Sequence, residues 1–99
     1  MDRITQKDLE AVVNRINAVT GNPETPWKPR ESGQGMSANI GNYHLSGAYG
    51  GVSLHRMMSD GGGVEDVFRC GHMPKRKLYD KMQAWLDGWY ANERARGAV

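Results

Sequence analysis

The chain has 99 residues, with 13 Lys and Arg against 11 Asp and Glu, and a single cysteine. That length supports one small domain with a modest core, and a lone Cys70 excludes an internal disulfide, as expected in a reducing cytoplasm. A net charge of +2 gives no global drive toward nucleic acid, and no apolar run approaches membrane-spanning length, so no membrane partner is expected.

The opening "MDRITQKDLE" lacks the apolar stretch of a signal peptide. Thr5 and Asp8 stand three apart as in a capping box, and Ile4 and Leu9 are placed to close a hydrophobic staple. Leu9, Val12, Val13, Ile16 and Val19 then recur at helical spacing, with Gly21 and Pro23 as stop signals. This predicts a helix over 5–20.

Residues 22–35, "NPETPWKPRESGQG", hold three of the four prolines and read as a long Pro/Gly-rich loop. Trp27 is its one large apolar side chain and is expected to pin the loop onto the core. "MSANIGNYHL" (36–45) and "VSLHRMM" (52–58) read as two strands of an antiparallel hairpin joined by "SGAYGG". In the first strand, Ala38, Ile40, Asn42 and His44 share a face. After the turn "SDGGG", "VEDVFR" (64–69) is a candidate third strand. Leu78, Met82, Trp85, Leu86 and Trp89, flanked by Tyr79 and Tyr90, predict an amphipathic helix from Pro74 to Asn92. Gly88 in that helix would let another backbone approach, and 93–99 is expected to fray. The architecture is therefore α+β: a single domain over 1–99, with an N-terminal helix, a β-hairpin or three-stranded meander, and a long C-terminal helix. Both helices would cover one sheet face.

Three constellations invite a chemical reading. His44, His55, Cys70 and His72 have the ligand softness of a zinc site, but lack paired C-x2-C or H-x3-H spacing, and ordinary partly buried histidines are the simpler account. Cys70 beside His72 would make a thiolate pair near a basic helix start, yet no orienting Asn or Asp is evident, and a structural cysteine is the simpler account. "GAYGG" and "DGGGVED" match neither a P-loop nor a dinucleotide fingerprint, and read as tight connections needing positive φ. No cofactor is expected.

Two surfaces remain. Lys75, Arg76 and Lys77 open the second helix at its positive end, where anions are favoured; with Arg56 and Arg69 from the sheet they form a candidate anion or nucleic-acid surface. Residues 73–99 carry six basic against three acidic side chains, while 1–72 carry seven against eight. An α–β–β–β–α order with a basic second helix is similar to that of double-stranded-RNA-binding domains. Solvation of the helix start is the competing account. Tyr79, Trp89 and Tyr90, at the margins of the helix stripe, are candidates for a protein interface or homodimer seam.

The block "ANIGNYHLSGAYGGVSLHRMMSDGGG", followed by "KRKLYDKM" and preceded by "ITQKDLEAVVNRINAVTGNP", resembles a group of small uncharacterised proteins encoded by tailed bacteriophages and prophages, over about residues 4–90. The resemblance implies a cytoplasmic accessory protein acting on a host protein or nucleic acid, and brings no catalytic or binding residues with it. The expected function is binding rather than catalysis, with a host protein as the leading partner.

Overall fold

A computed structural model describes residues 3–97. The elements run α1 (Gln6–Thr20), β1 (Trp27–Pro29), β2 (Met36–Ala38), β3 (Tyr43–Ala48), β4 (Gly51–Met57), β5 (Val64–Asp66) and α2 (Lys75–Gly97). The α+β class is as expected. β3, β4 and β5 form an antiparallel meander with β4 in the centre, and β1 and β2 form a separate two-stranded hairpin. The helices lie on one face of the meander, α1 against β3 and α2 against β4, and they touch each other. One helix layer on one sheet gives the molecule its 22 Å thin dimension.

α1 forms as the sequence dictates. Thr5 accepts from the Asp8 backbone at 3.2 Å, Asp8 accepts from the Thr5 N–H at 2.8 Å, and Gly21 closes the helix in the left-handed region. Its Leu9, Val12, Val13 and Ile16 meet Leu78, Met82 and Leu86 of α2 in a core completed by Tyr43, Val52, Leu54 and Met73. Removing such side chains from water supplies most of the folding free energy, about 25 cal/mol per Å².

Several expectations need correction. The segment 36–45 is not one strand: Gly41, at φ 95°, breaks it, so Ile40 stands 59% exposed and shares no strand face with His44. The loop 22–35 contains β1, because Trp27–Pro29 finds its partner in Met36–Ala38 rather than in the meander. Trp27 accordingly packs on the 59–63 turn, where a Cβ on Gly62 would stand 2.6 Å from its ring, and it lies outside the central core. Finally, α2 does not fray at 93 but runs to Gly97. Glu93 and Arg96 pair at 3.3 Å, and Arg94 and Arg96 complement the negative helix end; residues 98 and 99 of the expected tail lie outside the described residues. Gly88 faces open space, so no second backbone approaches it.

The third strand is shorter than its sequence run. β5 ends at Asp66, Val67 still bonds Leu54 O, and the chain then bulges out before Met73 returns to exchange two 2.8 Å hydrogen bonds with Val52. Asp66 holds the bulge, accepting from the N–H groups of Arg69 and Gly71. Gly51 is required where that return passes: a Cβ there would lie 3.0 Å from the Met73 nitrogen and 3.1 Å from its carbonyl oxygen.

Candidate functional site

Strand alternation sorts the meander into two faces. Tyr43, Leu45, Val52, Leu54 and Arg56 point toward the helices; His44, Ser46, Ser53 and His55 point away. The β3–β4 register sets His44 opposite His55 and Ser46 opposite Ser53. His72 shares the outer face because Met73, its neighbour, pairs with Val52 on the core side. From the β5 edge, His72 reaches across β4 to Ser46 on β3, with Nε2 and Oγ 3.2 Å apart.

The outcome is a row of rings on the sheet face that no helix covers. His44 and His55 stand edge to face at 5.9 Å between centroids, His55 and His72 at 6.2 Å, and His72 and Tyr49 at 6.2 Å. Ser53 lies under the row. It is fully buried, and its hydroxyl has no hydrogen-bond partner in the protein. Burial holds the His44 imidazole below its ordinary value, and the charge of neighbouring His55 adds to the effect.

One nitrogen assignment follows from the hydrogen bonds. Asn42 is fully buried, and its Nδ2 donates to Pro23 O at 2.8 Å, so its Oδ1 is the atom 3.2 Å from His44 Nδ1. An amide oxygen only accepts, so Nδ1 carries the proton and Nε2 of the neutral ring keeps its lone pair.

At the tip of the β3–β4 hairpin, Tyr49 and Gly50 form a two-residue turn with φ 54° and 73°. Positive φ at both central positions is the type I′ pattern, where Asn-Gly is favoured and an aromatic residue is strained. Tyr49 is nevertheless there, 100% exposed. Sequence reading misses it as a site residue, because "SGAYGG" reads whole as the connection. Counting strand alternation inward from Leu45 and Val52 to a two-residue turn would have put Tyr49 at the outermost point.

The expected site residues fall into separate places. The three histidines come together, whereas Cys70 is exposed in the bulge and its thiol donates to Phe68 O at 3.1 Å. Among the described residues no three His, Cys, Asp or Glu side chains are placed to hold a metal ion together, so the four-ligand arrangement is not formed. Nor do the five cations converge. Arg56 faces the helix side, its guanidinium 5.4 Å from the Tyr43 ring centre, and Arg69 sits in the bulge. Lys75, Arg76 and Lys77 share the first turn of α2, where Arg76 lies over the Tyr79 ring and its charge helps hold the Asp8 carboxyl low, behind the larger effect of the Thr5 hydrogen bonds. The basic helix start is thus partly balanced by the cap of α1.

Tyr79, Trp89 and Tyr90 are partly buried rather than projecting. Tyr79 accepts from Gln83, Tyr90 accepts from Arg15, and Trp89 stands edge-on to Tyr90 at 5.6 Å. Tyr79 and Tyr90 line a groove of about 380 Å³ between the helices, so these rings tie α1 to α2. The large apolar side chains left exposed are elsewhere: Trp27, Met36, Ile40, Tyr49, Met58 and Val64.

Compared with models of protein families, with curated proteins and with solved structures, the chain matches none. No helix among the described residues is long and apolar enough to cross a membrane.

Proposed function

We propose that the protein is a non-enzymatic accessory protein that binds a bacterial host protein through the uncovered sheet face, with Tyr49 as the anchoring side chain. The observation that carries this reading is Tyr49 itself. A left-handed backbone costs an ordinary residue about 1–2 kcal/mol, and here the residue bearing that cost buries nothing of its own. Strain held at an exposed position is a mark of a contact surface. Tyrosine suits one, since it brings a large rigid area and a hydroxyl at low entropic cost. The serines and imidazoles behind it supply polar groups for an interface rim. Such a role is also what the resemblance to small phage and prophage proteins implies.

The test is affinity capture from nuclease-treated bacterial lysate, with the unmodified chain and Tyr49→Asn in parallel. Asparagine tolerates the turn, so the fold is kept. The expected result is a protein retained by the unmodified chain and lost with Tyr49→Asn. Equal retention by both would overturn the reading. A second reading, nucleic-acid binding, is supported by the shared first turn of Lys75, Arg76 and Lys77. It expects retention that vanishes with nuclease and falls steeply with added salt.

A further inference from the structure

The row of imidazoles holds more chemistry than a protein contact needs. We propose that His44 and His55 bind a first-row divalent cation of the Cu²⁺ or Zn²⁺ class, with solvent completing the coordination shell. The inference is independent of the Tyr49 contact.

Geometry comes first. The two residues are registered partners on adjacent strands and share the outer face, with ring centres 5.9 Å apart. A metal about 2.0–2.1 Å from an imidazole nitrogen lies about 3.2 Å from the ring centre. Two rings on one metal therefore have centres about 5–6.4 Å apart, the larger value for a linear arrangement. The observed separation falls within that interval.

Orientation comes next. Asn42 Oδ1 accepts a hydrogen bond from His44 Nδ1–H, which leaves Nε2 with a bare lone pair. A ligating histidine is ordinarily held this way, its other nitrogen donating to a fixed oxygen. The Asn42 oxygen is fixed in turn by the bond from Nδ2 to Pro23 O.

The unpartnered group supplies an independent observation. Ser53 precedes His55 by two residues on the same face, and its buried hydroxyl has no partner. An unmet hydroxyl in a buried site costs free energy, and a metal-bound water above the row would satisfy it. Two protein ligands make an open, exchangeable site rather than a structural zinc centre, which takes four. The affinity order of divalent metals then places Cu²⁺ above Zn²⁺.

The experiment is calorimetric titration of the full chain with Cu²⁺ near neutral pH, read together with the electron paramagnetic resonance spectrum. One equivalent bound, with two nitrogen donors in the spectrum, is expected. His44→Gln and His55→Gln should each weaken binding by about tenfold or more, while Cys70→Ser leaves it unchanged. Unaltered affinity in both histidine variants, or loss with Cys70→Ser, would overturn the proposal. Should either histidine variant misfold, NMR of the unmodified chain decides: substoichiometric Cu²⁺ should broaden the His44 and His55 ring resonances before all others, and broadening first elsewhere would refute the site.

Discussion

Asn17 offers the sharpest test of how the helix layer and the sheet are joined. β3 is an edge strand, and Tyr43 turns its N–H and C=O outward, away from β4. Both groups are met by one side chain: Asn17 Oδ1 accepts from Tyr43 N at 2.8 Å, and Asn17 Nδ2 donates to Tyr43 O at 2.9 Å. The amide thus imitates a neighbouring strand, 1% exposed and held within α1. Asn17→Ala removes both bonds and leaves two buried backbone groups without partners, at about 1–3 kcal/mol each. Because these penalties overlap with the bonds lost, about 3 kcal/mol in total is expected. In urea, where a small domain loses about 1.5 kcal/mol of stability per molar, the midpoint should fall by about 2 M with an unchanged slope. Asn17→Asp serves as the control. It keeps the acceptor for Tyr43 N but sets a carboxylate against the Tyr43 carbonyl, so its penalty should shrink as acid protonates the new side chain. A loss below about 1 kcal/mol for Asn17→Ala would refute the reasoning, since the amide would then be replaceable by water.

The remaining predictions concern the sheet. Gly51→Ala drives a methyl group into the Met73 backbone at 3.0 Å and should cost about 1–3 kcal/mol, read as a lower melting temperature. Tyr49→Asn, by relieving the left-handed strain, should raise stability by about 0.5–1 kcal/mol while abolishing partner capture; unchanged or lower stability in urea would show that the turn carries no strain. His44 sets a pH dependence. Its folded value lies below the ordinary 6.5, so as pH falls the unfolded chain takes up a proton that the folded chain does not. The stabilisation is complete above 6.5 and is lost as pH falls from there through the folded value. Urea titrations at about pH 7.5 and about pH 5.5 should show this slope in the unmodified chain and a flatter one in His44→Gln.

What the sequence reveals depends on how local the cause is. α1 was legible to its caps, because Thr5, Asp8 and Gly21 act within a few residues of the helix ends. The Leu78, Met82 and Leu86 stripe was legible for the same reason. The β1–β2 hairpin was not: Trp27–Pro29 is strand only because Met36–Ala38 pairs with it across a Pro- and Gly-rich span. Asn17 carries no sign of burial in its own helix, since its partner is a strand 26 residues away. The histidines were visible as residues but not as a row. Their assembly needs the β3–β4 register and the return of Met73 to Val52, which sets His72 across β4. Spacing shows which face of α2 the rings Tyr79, Trp89 and Tyr90 lie on, but not that Tyr90 reaches Arg15 of α1.

Local rules are broken mostly on one side of this molecule. The helix-covered half is largely consistent: the α1 caps are satisfied, the apolar stripes are buried, and even the misplaced charge of Arg76 finds the Tyr79 ring and the field of Asp8, while the buried Arg56 Nε is left without a hydrogen-bond partner. The other exceptions lie on the uncovered face or its rim. They are the left-handed Tyr49, the left-handed Arg69 beside the bulge, the unpartnered Ser53 hydroxyl and a half-buried imidazole held neutral at His44. Departures from local consistency persist where something other than folding stability maintains them. Arg69 is held by the Asp66 bonds that shape the bulge, and the bulge is what delivers His72 to the face. Three of these four therefore concern the histidine row, and the fourth stands at its end.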